Sequence, residues 1–252
     1  MPLVVVDITR NGLRALVRMI YMHRLLKDCQ TQFKAVFRMA LMVNEIFYSI
    51  QGESSWVGLP FVFVRLTGCN LRCRYCDTRY AYEEGSPWCI DAIVDHASRF
   101  ACRRVTLTGG EPLLQSECSD LVSRLLSRGF IVTLETNGSQ DIGRVDRRCI
   151  KIMDLKCPSS GMQAHNRWEN LELLSPEDEV KFVVADPADL EFTRAAIAQI
   201  GDRIPATHLL LSPAHGEIEM RQLAQWMLDA NVEARLQVQL HKIIWPDRQR
   251  GV

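Results

Sequence analysis

Three cysteines fall within eight residues, Cys69-Asn70-Leu71-Arg72-Cys73-Arg74-Tyr75-Cys76, at spacing x3 then x2. A loop this tight can turn all three sulfurs toward one centre. Structural zinc almost always takes four Cys or His ligands, and no fourth follows closely at motif spacing. An iron-sulfur cube also takes four thiolates as a rule, so three local ones leave one iron without a protein ligand. An open iron is a place for chemistry. The other six cysteines are scattered singly, and an odd total of nine in a chain of 252 residues argues for reduced thiols rather than a disulfide framework.

Two further segments carry chemistry of their own. Thr108-Gly109-Gly110-Glu111-Pro112 follows the run Val105-Thr106-Leu107, and paired glycines let a backbone approach a ligand closely. Glu135-Thr136-Asn137-Gly138 ends the run Phe130 to Leu134, where polar side chains at a strand terminus would face the mouth of a barrel. The cysteine spacing, with Tyr75 just before the last cysteine, and the Gly-Gly-Glu-Pro segment resemble the radical S-adenosylmethionine superfamily. The resemblance implies a 4Fe-4S cluster on Cys69, Cys73 and Cys76 whose open iron chelates S-adenosylmethionine. Reductive cleavage of that molecule gives a 5′-deoxyadenosyl radical that takes hydrogen from a substrate.

The succession Asn44-Glu45-Ile46-Phe47-Tyr48-Ser49-Ile50-Gln51-Gly52-Glu53, then Gly58-Leu59-Pro60, Arg65, and Asp77-Thr78 after the cysteines narrows the resemblance. From Met42 to His241-Lys242 the chain resembles the 7-carboxy-7-deazaguanine synthase family. This implies ring contraction of 6-carboxy-5,6,7,8-tetrahydropterin with loss of ammonia, on the route to queuosine, by a carbon-nitrogen lyase that regenerates its S-adenosylmethionine. Substrate contacts carry over to Ile50, Gln51, Gly52, Arg65, Thr108 and His241; an arginine fork suits a carboxylate. Contacts to S-adenosylmethionine carry over to Tyr75, Cys76, Asp77, Gly110, Glu135, Asp154, Leu155 and Lys156, and a magnesium ion to Thr78. Relatives also imply a homodimer and an electron donor such as flavodoxin or ferredoxin. Asp154-Leu155 departs from the Ser-Pro that some relatives carry before the lysine. Trp245 to Val252 runs past the point at which the match ends. Leu211-Ser212-Pro213-Ala214-His215 ends a strand and reads either as a contact to the adenosyl part or as a plain turn into the next helix.

Two rival classes share parts of this pattern. An enzyme that activates a glycyl-radical partner shares the cluster loop, but Gln51-Gly52-Glu53 and Arg65 favour a small carboxylated substrate. A metal-binding module without catalysis would hold iron or zinc and leave S-adenosylmethionine intact.

The elements that must position these residues are also legible. Strands are predicted at Phe61–Leu66, Val105–Leu107, Phe130–Leu134, Ile150–Leu155, Val180–Val184, His208–Leu211 and Ala234–Val238, from apolar and β-branched runs. Helical spacing predicts helices near 90–100 (Ile90, Ile93, Val94, Ala97), 118–128 (Leu121, Val122, Leu125), 188–199 and 217–230. Alternating strands and helices imply an α/β fold with a mostly parallel sheet. About six strands and fewer helices give a partial (β/α) barrel, with chemistry at the carboxyl ends of the strands. Residues 1–41 read as a basic helical extension outside a catalytic domain spanning 42–252. Those first residues hold seven Lys or Arg against two Asp, and the rest of the chain balances this with an equal acidic excess. Lys+Arg and Asp+Glu are 30 each, which gives no basic surplus for a nucleic-acid partner. No apolar run reaches the length of a membrane span, and the expected place of work is the cytoplasm. His23, His96, His165 and His208 are expected to be structural or solvated.

Overall fold

The computed structural model describes residues 40–252. The helix expected in the N-terminal extension lies outside the described residues. A nine-stranded sheet runs in the order β3-β1-β2-β4-β5-β6-β7-β8-β9. Its strands are β1 (Ala40–Ile50), β2 (Pro60–Leu66), β3 (Ser86–Cys89), β4 (Arg104–Gly109), β5 (Ile131–Thr136), β6 (Ile150–Asp154), β7 (Glu179–Val184), β8 (Leu209–Pro213) and β9 (Arg235–Leu236). From β2 through β9 all neighbours in the sheet are parallel. β1 pairs antiparallel with β2. The six-strand parallel run read from sequence is therefore β2 with β4 to β8. The short β9 extends it at one edge, and β1 and β3 extend it at the other. The two edges, β3 and β9, do not pair, so the sheet stays open and is not a closed barrel.

Five α-helices stand among the described residues: α1 (Ile90–Ala97), α2 (Cys118–Ser127), α3 (Pro187–Ile200), α4 (Met220–Asp229) and α5 (Leu240–Ile244). α1 buries Ile90, Ile93, Val94 and Ala97, and α2 buries Cys118, Leu121, Val122 and Leu125. Both stripes follow the helical period and cover one face of β4 and β5 through Val105, Leu107, Val132 and Leu134. α3 and α4 cover β7 and β8 in a second apolar cluster that includes Phe182, Val184, Leu211, Leu223 and Met227. Asp186 caps α3, accepting from Asp189 N at 3.0 Å, with Pro187 in the first turn. Between β6 and β7 the cover consists of 3-10 turns at Pro158–Ser160, Gln163–His165 and Trp168–Leu173.

The opposite face of the same strands is polar. Because side chains alternate along a strand, Thr106, Thr108, Thr133 and Glu135 must point away from the helices that cover Val105, Leu107, Val132 and Leu134. Thr106 pairs in register with Thr133, and their hydroxyls lie 2.8 Å apart. Thr106 and Thr133 have no exposure, and Gln51 Nε2 donates to Thr106 Oγ1 at 3.3 Å on that face. The strand expected over 234–238 is only two residues long. Past Leu236 the chain turns inward, and the Gln237 side chain donates to Ser54 O at 3.1 Å.

Candidate active site

A cavity of about 770 Å³ opens on the polar face of the sheet, a size suited to a small molecule. The cysteine loop forms one wall. It begins where β2 ends, and Cys69, Cys73 and Cys76 are all half-buried and line the cavity, whereas Cys102, Cys118, Cys149 and Cys157 are buried. Arg72 braces the loop: its Nη1 donates to Cys69 O and Leu71 O, both at 2.8 Å, while its guanidinium lies 4.1 Å from the Tyr82 ring centre. Arg74 ties the loop outward to Ser159 O at 3.1 Å and Glu217 at 2.8 Å.

The Gly109-Gly110 segment touches this loop from β4. A Cβ on Gly110 would stand 2.2 Å from Gly68 O and 2.6 Å from Cys69 Cβ, so glycine is what lets the two segments meet. Glu111 then points away from the cavity. It is fully buried and accepts from Leu113 N at 3.0 Å, Asn137 N at 2.6 Å and Thr136 Oγ1 at 2.9 Å. Burial pushes its carboxyl above the usual range against these donors. Glu111 thereby locks the Glu135-Thr136-Asn137 segment beside the cysteine loop, where Asn137 Nδ2 approaches Cys69 Sγ at 3.9 Å.

The opposite wall carries hydrogen-bonding and charged groups. Glu135 Oε2 accepts from Thr108 Oγ1 at 2.8 Å, and its Oε1 from Gln51 Nε2 at 3.3 Å. Burial raises the Glu135 carboxyl above its ordinary value. Lys181 rises from β7 between Glu53 at 2.5 Å and Asp154 at 3.5 Å, and Lys156 reaches Asp154 at 3.0 Å. Burial would push Glu53 up, but Lys181, Gln239 and His241 together outweigh it and hold the carboxyl below its usual value. Arg65 donates from Nε to Glu45 at 2.8 Å. Thr78 Oγ1 donates to Asp77 Oδ1 at 3.0 Å, and Asp77 faces Lys242 at 2.7 Å. Gly52 lies under α5, where a Cβ would stand 2.2 Å from His241 Nδ1. Burial lowers the His241 imidazole toward its neutral form.

Of the residues singled out in the sequence, Ile50, Gln51, Gly52, Arg65, Tyr75, Asp77, Thr78, Thr108, Gly110, Glu135, Asp154, Lys156 and His241 line this one cavity with the three cysteines. Leu155 is the exception. Its side chain is 1% exposed and belongs to the apolar cluster behind β6 and β7, because it alternates with Asp154 along the chain. Ala214 and His215 line the cavity, while Leu211 is core. His96 packs against Trp88 and Phe100, and His208 Nδ1 lies 2.9 Å from Pro176 O.

The donor set can be tested for what it would hold. Among the described residues no three His, Cys, Asp or Glu side chains converge as a single-ion site requires. A four-iron cube instead takes its thiolates at separate corners. Asp154 Oδ1 is buried without a hydrogen-bond partner on the cavity wall, so it is an acceptor awaiting a ligand donor. The cysteine loop, the glycine approach and this acceptor fit a cluster with an adenosyl ligand beside it.

Comparison with known proteins agrees. Residues 63–227 match the model of the radical SAM superfamily. A 7-carboxy-7-deazaguanine synthase of Chlorobaculum tepidum is 47% identical over 215 residues, 84% of this chain and 97% of that protein. The chain belongs to the 7-carboxy-7-deazaguanine synthase family. A second synthase of this name, from Koribacter versatilis, is 39% identical over 84% of this chain and its own full length. The crystal structure of QueE from Escherichia coli shares the fold, with a TM-score of 0.68 at 23% identity, covering 81% of this chain and 97% of that one. Membership of this synthase family implies a 4Fe-4S cluster and S-adenosylmethionine.

Several residues of this synthase-family site were not singled out from the sequence. Lys181 had a usable signal, a lysine inside the apolar strand Val180-Lys181-Phe182-Val183. Glu45, Glu53, Glu111 and Gln239 stood in the motifs without a role of their own, since those roles depend on partners elsewhere in the chain. The C-terminal residues Pro246, Arg248, Gln249 and Val252 also line the cavity.

Proposed function

We propose that this chain contracts the ring of 6-carboxy-5,6,7,8-tetrahydropterin to 7-carboxy-7-deazaguanine and releases ammonia, which makes it a carbon-nitrogen lyase. One observation carries the reading beyond family membership: the Arg65 guanidinium, the Gln51–Thr108–Glu135 hydrogen-bond set and the cysteine loop line a single cavity. When bound, the cluster and S-adenosylmethionine supply a deoxyadenosyl radical that removes a hydrogen from the substrate and later returns it.

The chain's own residues do the rest. Arg65 holds the substrate carboxylate through paired hydrogen bonds. Gln51, Thr108 and Glu135 bond the polar edge of the pterin. Neutral His241 offers a further partner. Cys69, Cys73 and Cys76 would hold the cluster, and Tyr75, Cys76, Asp77, Gly110, Glu135, Asp154, Lys156 and the backbone of Leu155 would surround S-adenosylmethionine. Thr78 would hold magnesium: its hydroxyl hydrogen is directed to Asp77, which leaves an oxygen lone pair for a hard cation, with substrate oxygens and water completing the shell. The catalytic domain is read as 42–252. The enzyme is further proposed to work in the cytoplasm as a homodimer served by a flavodoxin or ferredoxin; no helix among the described residues is long and apolar enough to cross a membrane.

The test is anaerobic incubation of reconstituted protein with reductant, S-adenosylmethionine, magnesium and the carboxypterin, with product detected by mass. The expected result is 7-carboxy-7-deazaguanine with S-adenosylmethionine not consumed in step. Deoxyadenosine without the deazapurine would overturn the substrate assignment.

A further inference from the structure

After α5 the chain returns along the cavity, which Pro246, Arg248, Gln249 and Val252 line. This strap is fastened at two points. Arg250 Nη2 donates to Glu84 Oε2 at 2.7 Å, with its guanidinium 4.3 Å from the Tyr80 ring centre. Gly251 N donates to Glu45 Oε2 at 3.1 Å. The other oxygen of that same carboxylate accepts from Arg65 Nε at 2.8 Å and from the Tyr80 hydroxyl at 3.2 Å. One side chain of β1 therefore joins β2, the Arg79–Ala81 turn and the C-terminus.

The geometry restricts Arg65. A guanidinium can hold a carboxylate through its Nη1–Nη2 edge or through its Nε–Nη edge. Glu45 occupies Nε, so a ligand in the cavity meets the Nη groups alone. The Phe47 and Tyr80 ring centres, each 5.8 Å from the guanidinium carbon, limit its rotation. Glu45 also places a negative charge behind Arg65, which weakens the attraction for an anion. The pair thus gives up some affinity and fixes one direction of approach.

We propose that Glu45 is a positioning residue: it fixes the edge of Arg65 that meets the substrate carboxylate, and it couples that orientation to the docked C-terminal strap. The inference rests on the carboxypterin reading above. A radical reaction is sensitive to such placement, because a shift of about 1 Å can cost two orders of magnitude in rate.

Glu45→Gln keeps the shape but has one acceptor oxygen, so it cannot accept from both Arg65 Nε and Gly251 N. With the opposing charge gone and either Nε or the strap released, the substrate binds no more weakly but in a displaced pose. The expected result, with holoenzyme, is a KM for the carboxypterin within twofold of wild type or lower. kcat for the deazapurine falls at least tenfold, and more deoxyadenosine forms per product. Iron content and melting temperature serve as controls. A chain ending at Gln249, which keeps Glu45 but loses the Arg250 and Gly251 anchors, shows the same uncoupling to a smaller degree and carries the test if the first variant does not fold. Unchanged kcat and coupling in these variants, or a raised KM with kcat retained, would overturn the proposal. Wild type that makes deoxyadenosine but no deazapurine would fail the substrate reading, a result distinct from either.

Discussion

Asp77 and Lys242 show how single charges at the rim depend on pH. Burial would raise the Asp77 carboxyl, but Lys242 at 2.7 Å and the Thr78 hydroxyl outweigh it and bring it to about 2, against an ordinary 3.8. A depressed carboxyl stabilises the fold at pH above its unfolded value and loses that effect as pH falls through its folded value. Apo wild type should therefore melt above Asp77→Asn at neutral pH, and the gap should close as pH is lowered from about 4 to about 2. A gap constant over that range would refute the pairing. Glu111 is a different case, since its oxygens are the acceptors for two backbone N–H groups and one hydroxyl on a fully buried side chain. Glu111→Ala leaves all three unpaired and should cost about 3 kcal/mol or more in denaturant unfolding of the apo protein. Iron uptake should fall with it, because Asn137 would no longer be held beside Cys69. A loss below about 1 kcal/mol would mean that the donors find other partners.

At the scale of elements, the open side of the sheet is bridged by side chains and single backbone bonds instead of a strand ladder. Gly52 O accepts from Leu240 N at 2.9 Å, Glu53 takes both Lys181 and Gln239, and Glu179 accepts from the Ser55 backbone and hydroxyl. These links run from the segment after β1 to β7 and to the start of α5, and they set where His241 stands. Gly52→Ala would drive a methyl group into that helix, 3.0 Å from His241 N. It should destabilise the fold by about 1–3 kcal/mol, as overpacking does. Substrate affinity should drop more than S-adenosylmethionine affinity, which isothermal titration of each would show; equal losses would place Gly52 in the general fold alone. Helices α1 to α4 and the central strands were plain from sequence, since α1 and α2 repeat their apolar residues at the helical period and β2, β4 and β5 are apolar runs, whereas the five-residue α5 was not. β1 and β3 were not among the predicted strands. β1 mixes Asn44, Glu45 and Ser49 with apolar residues because it is half-exposed, and β3 is four residues containing a proline. Edge strands lack the burial on both faces that makes a central strand recognisable.

For the whole molecule, the fold draws residues from position 50 to position 252 around one cavity. The cysteine triplet, the paired glycines and the parallel αβ alternation were fixed by local spacing, since each is a property of a few consecutive residues. They identify the superfamily before any coordinate is known. The charge balance was equally readable and left no surplus for nucleic acid. Other features needed the tertiary structure. Asp154 and Lys181 face each other because β6 and β7 pair in that register, Leu155 is turned away by alternation, and Glu45 meets Arg65 because β1 and β2 pair in register, while Tyr80 and Gly251 reach it only once the Arg79–Ala81 turn and the C-terminal segment pack there. A sequence states which charges exist and how they are spaced along the chain. Whether a carboxylate is buried, which cation neutralises it and which edge of an arginine stays free depend on contacts between distant segments, and those are decided when the chain packs.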